Sequence, residues 1–430
     1  MAIECSGRAD EASGPGDRAT PVPTAAPDLS PPARLVPLLA LACGSSVATV
    51  YFAQPLLVTL GERFALGPAL LGTIVTVTQL GYAAGLLLLV PLGDLLDRRR
   101  LITAQLGLLA LALLGAGLAP GAAALLGALA AVGLLAVVAQ TMVAAAAALT
   151  TPARRGRAVG TVTGGIVTGI LLARAAAGAL ADLAGWRAVY LVSAGVTALL
   201  AVLLRRALPS TLRPAMPPSE GAGKMSYGRL VASTVTLFVR HPLLRIRGAL
   251  ALLVFAAFST LWSTVAQPLS GPPWSLSHTA IGAFGLAGAA GAAAAGVAGR
   301  WNDRGLAQRT TGAGLALLTL SWLPIGLTGQ SLWALAGGAV LLDFAVQAVH
   351  VTNQTMIHAV RPDAGSRIIG GYMVFYSAGS GLGALGSSLA YAVAGWPMVT
   401  ALGAAFSLAA LLLWATTRRT TVVGPTGDIG

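Results

Sequence analysis

Hydrophobic and polar positions along this chain fall into long blocks rather than alternating at short period. From Leu35 onward, apolar stretches cover residues 35–59, 68–92, 101–119, 121–149, 158–181, 187–204, 248–268, 279–298, 310–328, 331–357, 368–391 and 397–415. Short connections rich in Arg, Asp, Gly or Pro separate them. Each stretch reaches the ~20 residues that carry an α-helix across ~30 Å of hydrocarbon. A chain surrounded by lipid must satisfy its own backbone polar groups, and a helix does so within one segment. The pattern therefore predicts an all-α integral membrane protein with twelve transmembrane helices. One long central loop, 205–247, divides them into six and six, giving bundles over 34–204 and 248–416. Residues 1–33 hold Glu4, Asp10, Glu11, Asp17 and Asp28 among Gly, Pro and Ser, without the apolar core of a signal peptide. They are expected to form a disordered cytoplasmic tail, and 417–430 a second cytoplasmic tail.

Composition narrows the class. Hydrophobic residues make up 56% and charged ones 10%, against about 25% charged in an average globular chain. The net charge of +13 would suit a nucleic-acid binder only if there were a solvated face to carry it, and there is too little polar sequence to make one. Sorting the basic residues by loop gives the charge another meaning. Arg8, Arg18 and Arg34, Arg98 to Arg100, Arg154, Arg155 and Arg157, eight residues of the central loop, Arg300, Arg304 and Arg309, Arg361 and Arg367, and Arg418 and Arg419 share one side of the predicted topology. Only Arg63 and Arg187 fall on the other. That asymmetry predicts both termini in the cytoplasm, and the inner (cytoplasmic) membrane is the expected location. The central loop reads as amphipathic from Arg229 to Arg247, a helix lying on the cytoplasmic membrane surface. Cys5 and Cys43 form no CxxC, Cys/His zinc pattern or disulfide framework, so neither metal nor cofactor is expected.

The two halves repeat. A shift of 210 residues superimposes Pro152 on Pro362, Arg157 on Arg367, Gly160 on Gly370, Gly169 on Gly379, Leu172 on Leu382 and Ala184-Gly185-Trp186 on Ala394-Gly395-Trp396. Ala53-Gln54-Pro55-Leu56 recurs as Ala266-Gln267-Pro268-Leu269, and the loop from Gly93 to Arg98 as Gly299 to Arg304, both Gly-x-x-x-Asp-Arg. Six helices repeated as six keep one orientation in the membrane, the parallel pseudo-repeat of paired transporter halves with a site between them.

On these motifs the chain resembles the major facilitator superfamily over 35–416. The loop Gly93-Asp94-Leu95-Leu96-Asp97-Arg98-Arg99-Arg100 resembles that family's signature between its second and third helices, with Arg100 where Gly is usual; Gly299, Asp303, Arg304 and Gly305 resemble the weaker second copy. The stretches Tyr51–Leu57, Val77–Arg100 and Val351–Pro362 are similar to bacterial efflux permeases of the predicted arabinose-efflux and drug-efflux type. The fifth segment lacks the Gly-Pro pair of many drug/proton antiporters. The resemblance implies alternating access to a central cavity, with Gly93, Asp94, Asp97, Arg98, Asp303 and Arg304 as a cytoplasmic gate that ties helix ends together in one state.

Charge inside hydrocarbon demands a partner or a purpose. Asp343 is the one carboxylate well inside a predicted span, and Arg174 the one cation. At 100° per residue Asp343, Gln347, His350 and Gln354 fall within about 60° of one another on the tenth segment. That stripe either lines an aqueous cavity or hydrogen-bonds to neighbouring helices. Arg174 and Asp343 lie at matching depths, roughly 26 and 27 Å from the arginine-rich side at 1.5 Å per residue. They could pair across the halves, or Arg174 could hold an anionic substrate while Asp343 carries a proton; alternatively Arg174 snorkels to the outer headgroups. Gln54 and Gln267 precede prolines and either support a kink or bind solute. Gln79, Tyr82, Gln140 and Trp262 are further cavity candidates, Trp262 as a stacking or a packing ring. The glycines at 282, 285, 288 and 291, and at 379, 383 and 386, are assigned to close helix packing.

The expected function is secondary active transport, proton-coupled efflux of a small sugar- or drug-like molecule by a monomer in the bilayer. An uptake symporter or facilitator of the same fold is the alternative, and a non-transporting receptor or scaffold the alternative of another class. A membrane enzyme would need clustered His, Asp or Glu, which the spans lack, so no catalytic residue is expected.

Overall fold

In the computed structural model, the structure describes residues 34–209, 227–360 and 365–418. The terminal tails 1–33 and 419–430, residues 210–226 of the central loop, and the side chain of Asp94 lie outside the described residues. Helix forms within every predicted segment: α1 (Leu35–Ala48), α2 (Leu57–Arg63), α3 (Leu71–Leu88), α4 (Leu92–Leu95), α5 (Arg98–Gly117), α6 (Ala122–Ala136), α7 (Val138–Ala148), α8 (Pro152–Ala184) and α9 (Trp186–Ala207) in the first half. After α10 (Tyr227–Arg240), the second half holds α11 (Pro242–Trp262), α12 (Ala266–Ser270), α13 (His278–Ala283), α14 (Gly288–Asp303), α15 (Ala307–Leu320), α16 (Trp322–Gly326), α17 (Leu332–Val360) and α18 (Gly365–Thr417). Among the described residues, nine stretches are long and apolar enough to cross a membrane, and the last of them, Ile368–Thr417, takes in both the eleventh and the twelfth predicted segments across the kink at Gly395. The first and ninth predicted segments are not among the nine: their helices, Leu35–Ala48 and Ala307–Leu320, have 14 residues each.

The breaks and starts have local causes. Pro152 and Pro242 open α8 and α11, where a missing N–H costs nothing. Asp97 caps α5, its carboxylate accepting from the Arg100 N–H at 2.9 Å. The Gln-Pro pairs mark a break in each half: α1 gives way to a 3-10 turn at Gln54–Leu56, and α11 yields to α12 just before Gln267-Pro268. The Ala-Gly-Trp repeat is a turn in both copies. Gly185 (φ +80°) separates α8 from α9, and Gly395 (φ +65°) kinks α18 into two arms, a backbone region that side chains other than glycine avoid.

Each half has its own apolar core, one around Leu39, Ile102, Leu113, Val132 and Tyr190, the other around Leu250, Leu261, Leu318, Ile325 and Val349. Large apolar side chains also point outward, among them Leu111, Leu183, Leu323 and Trp333, as a lipid-facing belt requires. Small residues set equivalent helix pairs in both halves. A side chain at Gly44, Gly165 or Gly169 would collide with backbone between α1 and α8, and one at Gly379 or Gly383 with Leu252 and Ala256 of α11.

Two corrections concern the arginine-rich end. The amphipathic helix is shorter than 229–247: α10 ends at Arg240, and His241 breaks the chain before Pro242 starts a new helix. Arg247 is therefore not a surface residue. It is 1% exposed, donating from Nη1 to Thr311 Oγ1 (3.1 Å) and Asn353 Oδ1 (3.0 Å). Arg174 is consequently not the one cation buried in a span.

Candidate functional site

The halves meet toward the end opposite the arginine-rich loops. There α8 packs on α13 so tightly that a side chain at Gly178 would strike the His278 carbonyl, and one at Gly282 the Arg174 carbonyl. On the other flank α3 packs on α18, with Thr76 Oγ1 donating to the Gly381 carbonyl at 2.9 Å. Asp182, near the end of α8, closes this face. Its carboxylate accepts from the backbone N–H groups of His278 (3.2 Å) and Thr279 (2.7 Å) and from the Thr279 hydroxyl (2.6 Å). It also lies 2.6 Å from His278 Nδ1, while His278 Nε2 lies 2.7 Å from Thr59 Oγ1. One carboxylate thus caps a helix of the other half and, through the imidazole, reaches a third element.

Arg174 lies one layer deeper, 3% exposed. Its stem packs against Gly285, where any side chain would meet it. Nε donates to Gln54 Oε1 at 2.5 Å, so the 3-10 turn made by Gln54-Pro55 presents the amide that orients the guanidinium. Three rings surround the charge: Trp262 at 4.2 Å, Tyr51 at 5.2 Å and Phe258 at 5.6 Å from the guanidinium carbon. The indole N–H of Trp262 donates to Asp343 Oδ1 at 3.1 Å. Arg174 and Asp343 are thus brought to one layer but make no direct ion pair; Trp262 stands between them, its face to one charge and its N–H to the other. Nη2 of Arg174 is buried without a hydrogen-bond partner among the described residues.

On the arginine-rich side of this layer is a cavity of about 60 Å³. Its polar lining is Tyr51, Gln79, Tyr82, Gln140 and Tyr376; Val47, Val50, Ile166, Ile170 and Met373 supply the apolar remainder. The hydroxyls of Tyr51 and Tyr376 share a 2.6 Å hydrogen bond between the halves, across the wall that separates the cavity from Arg174.

The structure gathers Gln54, Arg174, Trp262 and Asp343 into one cluster and Gln79 and Gln140 into the adjoining cavity. It divides the polar stripe of α17. Asp343 joins the charged layer; Gln347 packs on Gly291 of α14; His350 sits in an aromatic set with Phe255, Tyr372 and Tyr376, its Nδ1 3.0 Å from the Tyr372 hydroxyl and its Nε2 3.2 Å from Gln354 Nε2. Gln267 is separate, lining a pocket near the opposite end with Glu62 and Tyr391. Of the residues expected to form a gate, Arg98 is 6% exposed and donates to the Gly93 carbonyl (3.1 Å) and, from α5 to α7, the Ala144 carbonyl (3.2 Å); Asp97 is the cap already described. Those contacts tie helix ends within one half. Asp303 and Arg304 are exposed.

Tyr51, Tyr376, Asp182, His278 and Thr59 escape the sequence reading. A tyrosine in an apolar run gives no sign of which helix it faces, and Asp182 and His278 stand 96 residues apart at predicted span ends. The nearest clue is Asp182 itself, an acid in a loop region otherwise poor in charge.

A family model described as Major Facilitator Superfamily matches residues 39–296 and 248–429. The chain is 44% identical over 387 residues to "Uncharacterized transporter YgaY" of Escherichia coli O157:H7, covering 90% of this chain and 96% of that protein. It is 34% identical over 373 residues to "Probable transporter SCO4007" of Streptomyces coelicolor, covering 86% and 84%. Among solved structures, a bacterial homolog of the human lysosomal transporter Spinster, inward-facing and unoccupied, superimposes with a TM-score of 0.71 at 16% identity, over 91% of this chain and 98% of that one. The human organic anion transporter MFSD10 superimposes with a TM-score of 0.65 at 19% identity, over 89% and 99%.

Proposed function

Because this chain belongs to the major facilitator superfamily of multi-pass membrane transporters, we propose that it exports a small organic molecule in exchange for protons, with Asp343 as the proton carrier. The bridge from Arg174 through Trp262 to Asp343 carries this reading. Arg174 belongs to one half, Trp262 and Asp343 to the other, and a buried carboxylate beside a fixed cation can lose its charge by taking up a proton. The Trp262–Asp343 bond lies within the second half, so what neutralising Asp343 changes between the halves is its attraction for Arg174 and the seating of the Trp262 ring against that guanidinium. By the distribution of basic residues, the arginine-rich end faces the cytoplasm. The 60 Å³ cavity then lies on the cytoplasmic side of the bridge, and the contacts around Asp182 close the outer side. Rocking of the halves exchanges which side is closed.

The test is flux of a panel of labelled solutes in everted vesicles, with and without a proton gradient. Gradient-dependent accumulation is expected for the wild type. Asp343→Asn should lose the dependence on the gradient while keeping exchange of labelled for unlabelled solute. Gradient-driven flux that survives in Asp343→Asn removes Asp343 from the role. Accumulation only in right-side-out vesicles supports uptake instead.

A further inference from the structure

Resting on that transport reading, we propose that the molecule moved is an organic anion with one planar oxyanion head, carboxylate in character, on a largely apolar body, and that Arg174 takes the head. A guanidinium carries five N–H donors. Here the one hydrogen bond it makes among the described residues is from Nε to Gln54, and the buried Nη2 has none. Asp343, which shares its layer, makes no ion pair with it and accepts from the Trp262 indole instead. A buried cation without a direct counter-charge is costly, and a carboxylate matched to the guanidinium fork removes that cost.

The surroundings restrict the rest of the molecule. Rings of Tyr51, Phe258 and Trp262 stand around the guanidinium, so the head meets Arg174 at the open edge of the fork. The cavity that would receive the body is lined by apolar side chains, amides and phenols, with no charged residue among them. A second charge on the solute would go unanswered there. At about 60 Å³ the cavity is smaller than the roughly 150 Å³ known to admit benzene. Tyr51 and Tyr376 form the wall toward Arg174, and their shared hydrogen bond must open for head and body to be seated together. Those two residues belong to different halves, so seating the anion removes one of the bonds that fixes the halves in this arrangement.

The experiment compares binding of 2-naphthoate, 2-naphthalenemethanol and 2-naphthylmethylamine to the purified full chain in detergent, by calorimetry and by quenching of tryptophan fluorescence. The naphthoate is expected to bind at least about tenfold more tightly than either analogue, as for a charge-assisted hydrogen-bonded pair. Arg174→Gln should lose that advantage and Arg174→Lys should keep part of it, while Tyr51→Phe, whose fold is the least disturbed, should bind naphthoate several-fold more tightly because one restraint on the wall is gone. The proposal is overturned if the folded wild type binds no naphthoate, if the alcohol or amine binds as well, or if Tyr51→Phe and Arg174→Lys both leave naphthoate affinity unchanged. Gradient-driven flux of a neutral solute, lost in Asp343→Asn, would leave the transport reading standing and this one refuted.

Discussion

At the scale of single residues, Arg174 and Asp343, the two charges that stand out in the sequence, are brought by the fold to one buried layer between the halves. Their depth could be read from 1.5 Å of rise per residue. What could not be read was the intermediary, because Trp262 in an apolar run gives no hint that its N–H will face a carboxylate. Trp262→Phe separates its two roles. The ring remains for Arg174, but Asp343 loses a donor, which costs about 1–3 kcal/mol for a buried group left unsatisfied. The expected outcome is a lower melting temperature of the purified protein with the fold retained, restored toward wild type when Asp343→Asn is added. Additive losses in the double variant would show that the 3.1 Å contact is energetically idle. Arg247 teaches the opposite lesson. It sits among Arg240, Arg245 and other basic residues, and charge clustering assigned it to the surface; Pro242 begins a helix early enough to carry it inside.

Between elements, Asp182 ties the end of α8 to the start of α13. A carboxylate at a helix N-terminus is favoured by the exposed N–H groups and the helix dipole. It also fastens α8 to the opposite half where Gly178 and Gly282 permit close approach. Asp182→Asn keeps the shape but cannot accept at both oxygens, so it weakens the bonds to Thr279 and His278. Both partners are about a third exposed, which water screening discounts, so a shift of up to about tenfold toward the state open at this end is expected. Labelling of a cysteine placed at Thr59 by an impermeant reagent measures it; equal labelling rates with and without Asp182→Asn would count against a closing role. The end of α8 was legible, because Ala184-Gly185-Trp186 falls between two predicted segments; the cap at Ser277 that starts α13 was not read from the sequence. Nor was the contact itself, since pairing across 96 residues depends on how whole bundles dock. The Gln-Pro repeats show the same limit. Both were recognisable as breaks, yet Gln54 finds Arg174 while Gln267 lines a different pocket, because the copies have different neighbours.

For the whole molecule, block hydropathy, the internal repeat and the family motifs were enough to point to an all-helical membrane fold of this superfamily, since lipid leaves few ways to fold such a chain. The distribution of the buried charges adds something that the architecture does not. The cation comes from the first half to be synthesised, and the carboxylate and indole that answer it from the second. During synthesis the first bundle therefore waits in the bilayer with an arginine that has Gln54 and Tyr51 beside it but not yet Phe258, Trp262 or Asp343. Such a half is an orphan subunit in all but covalent linkage, and it should be a target for membrane proteases until its mate arrives. Expressed as two polypeptides split within 210–226, the first half alone should turn over quickly, and co-expression of the second should lengthen its lifetime. Replacing Arg174 by Leu should protect the lone half without any partner. A pulse-chase in which the Leu variant decays as fast as the parent would mean that surveillance reads something other than the stranded charge.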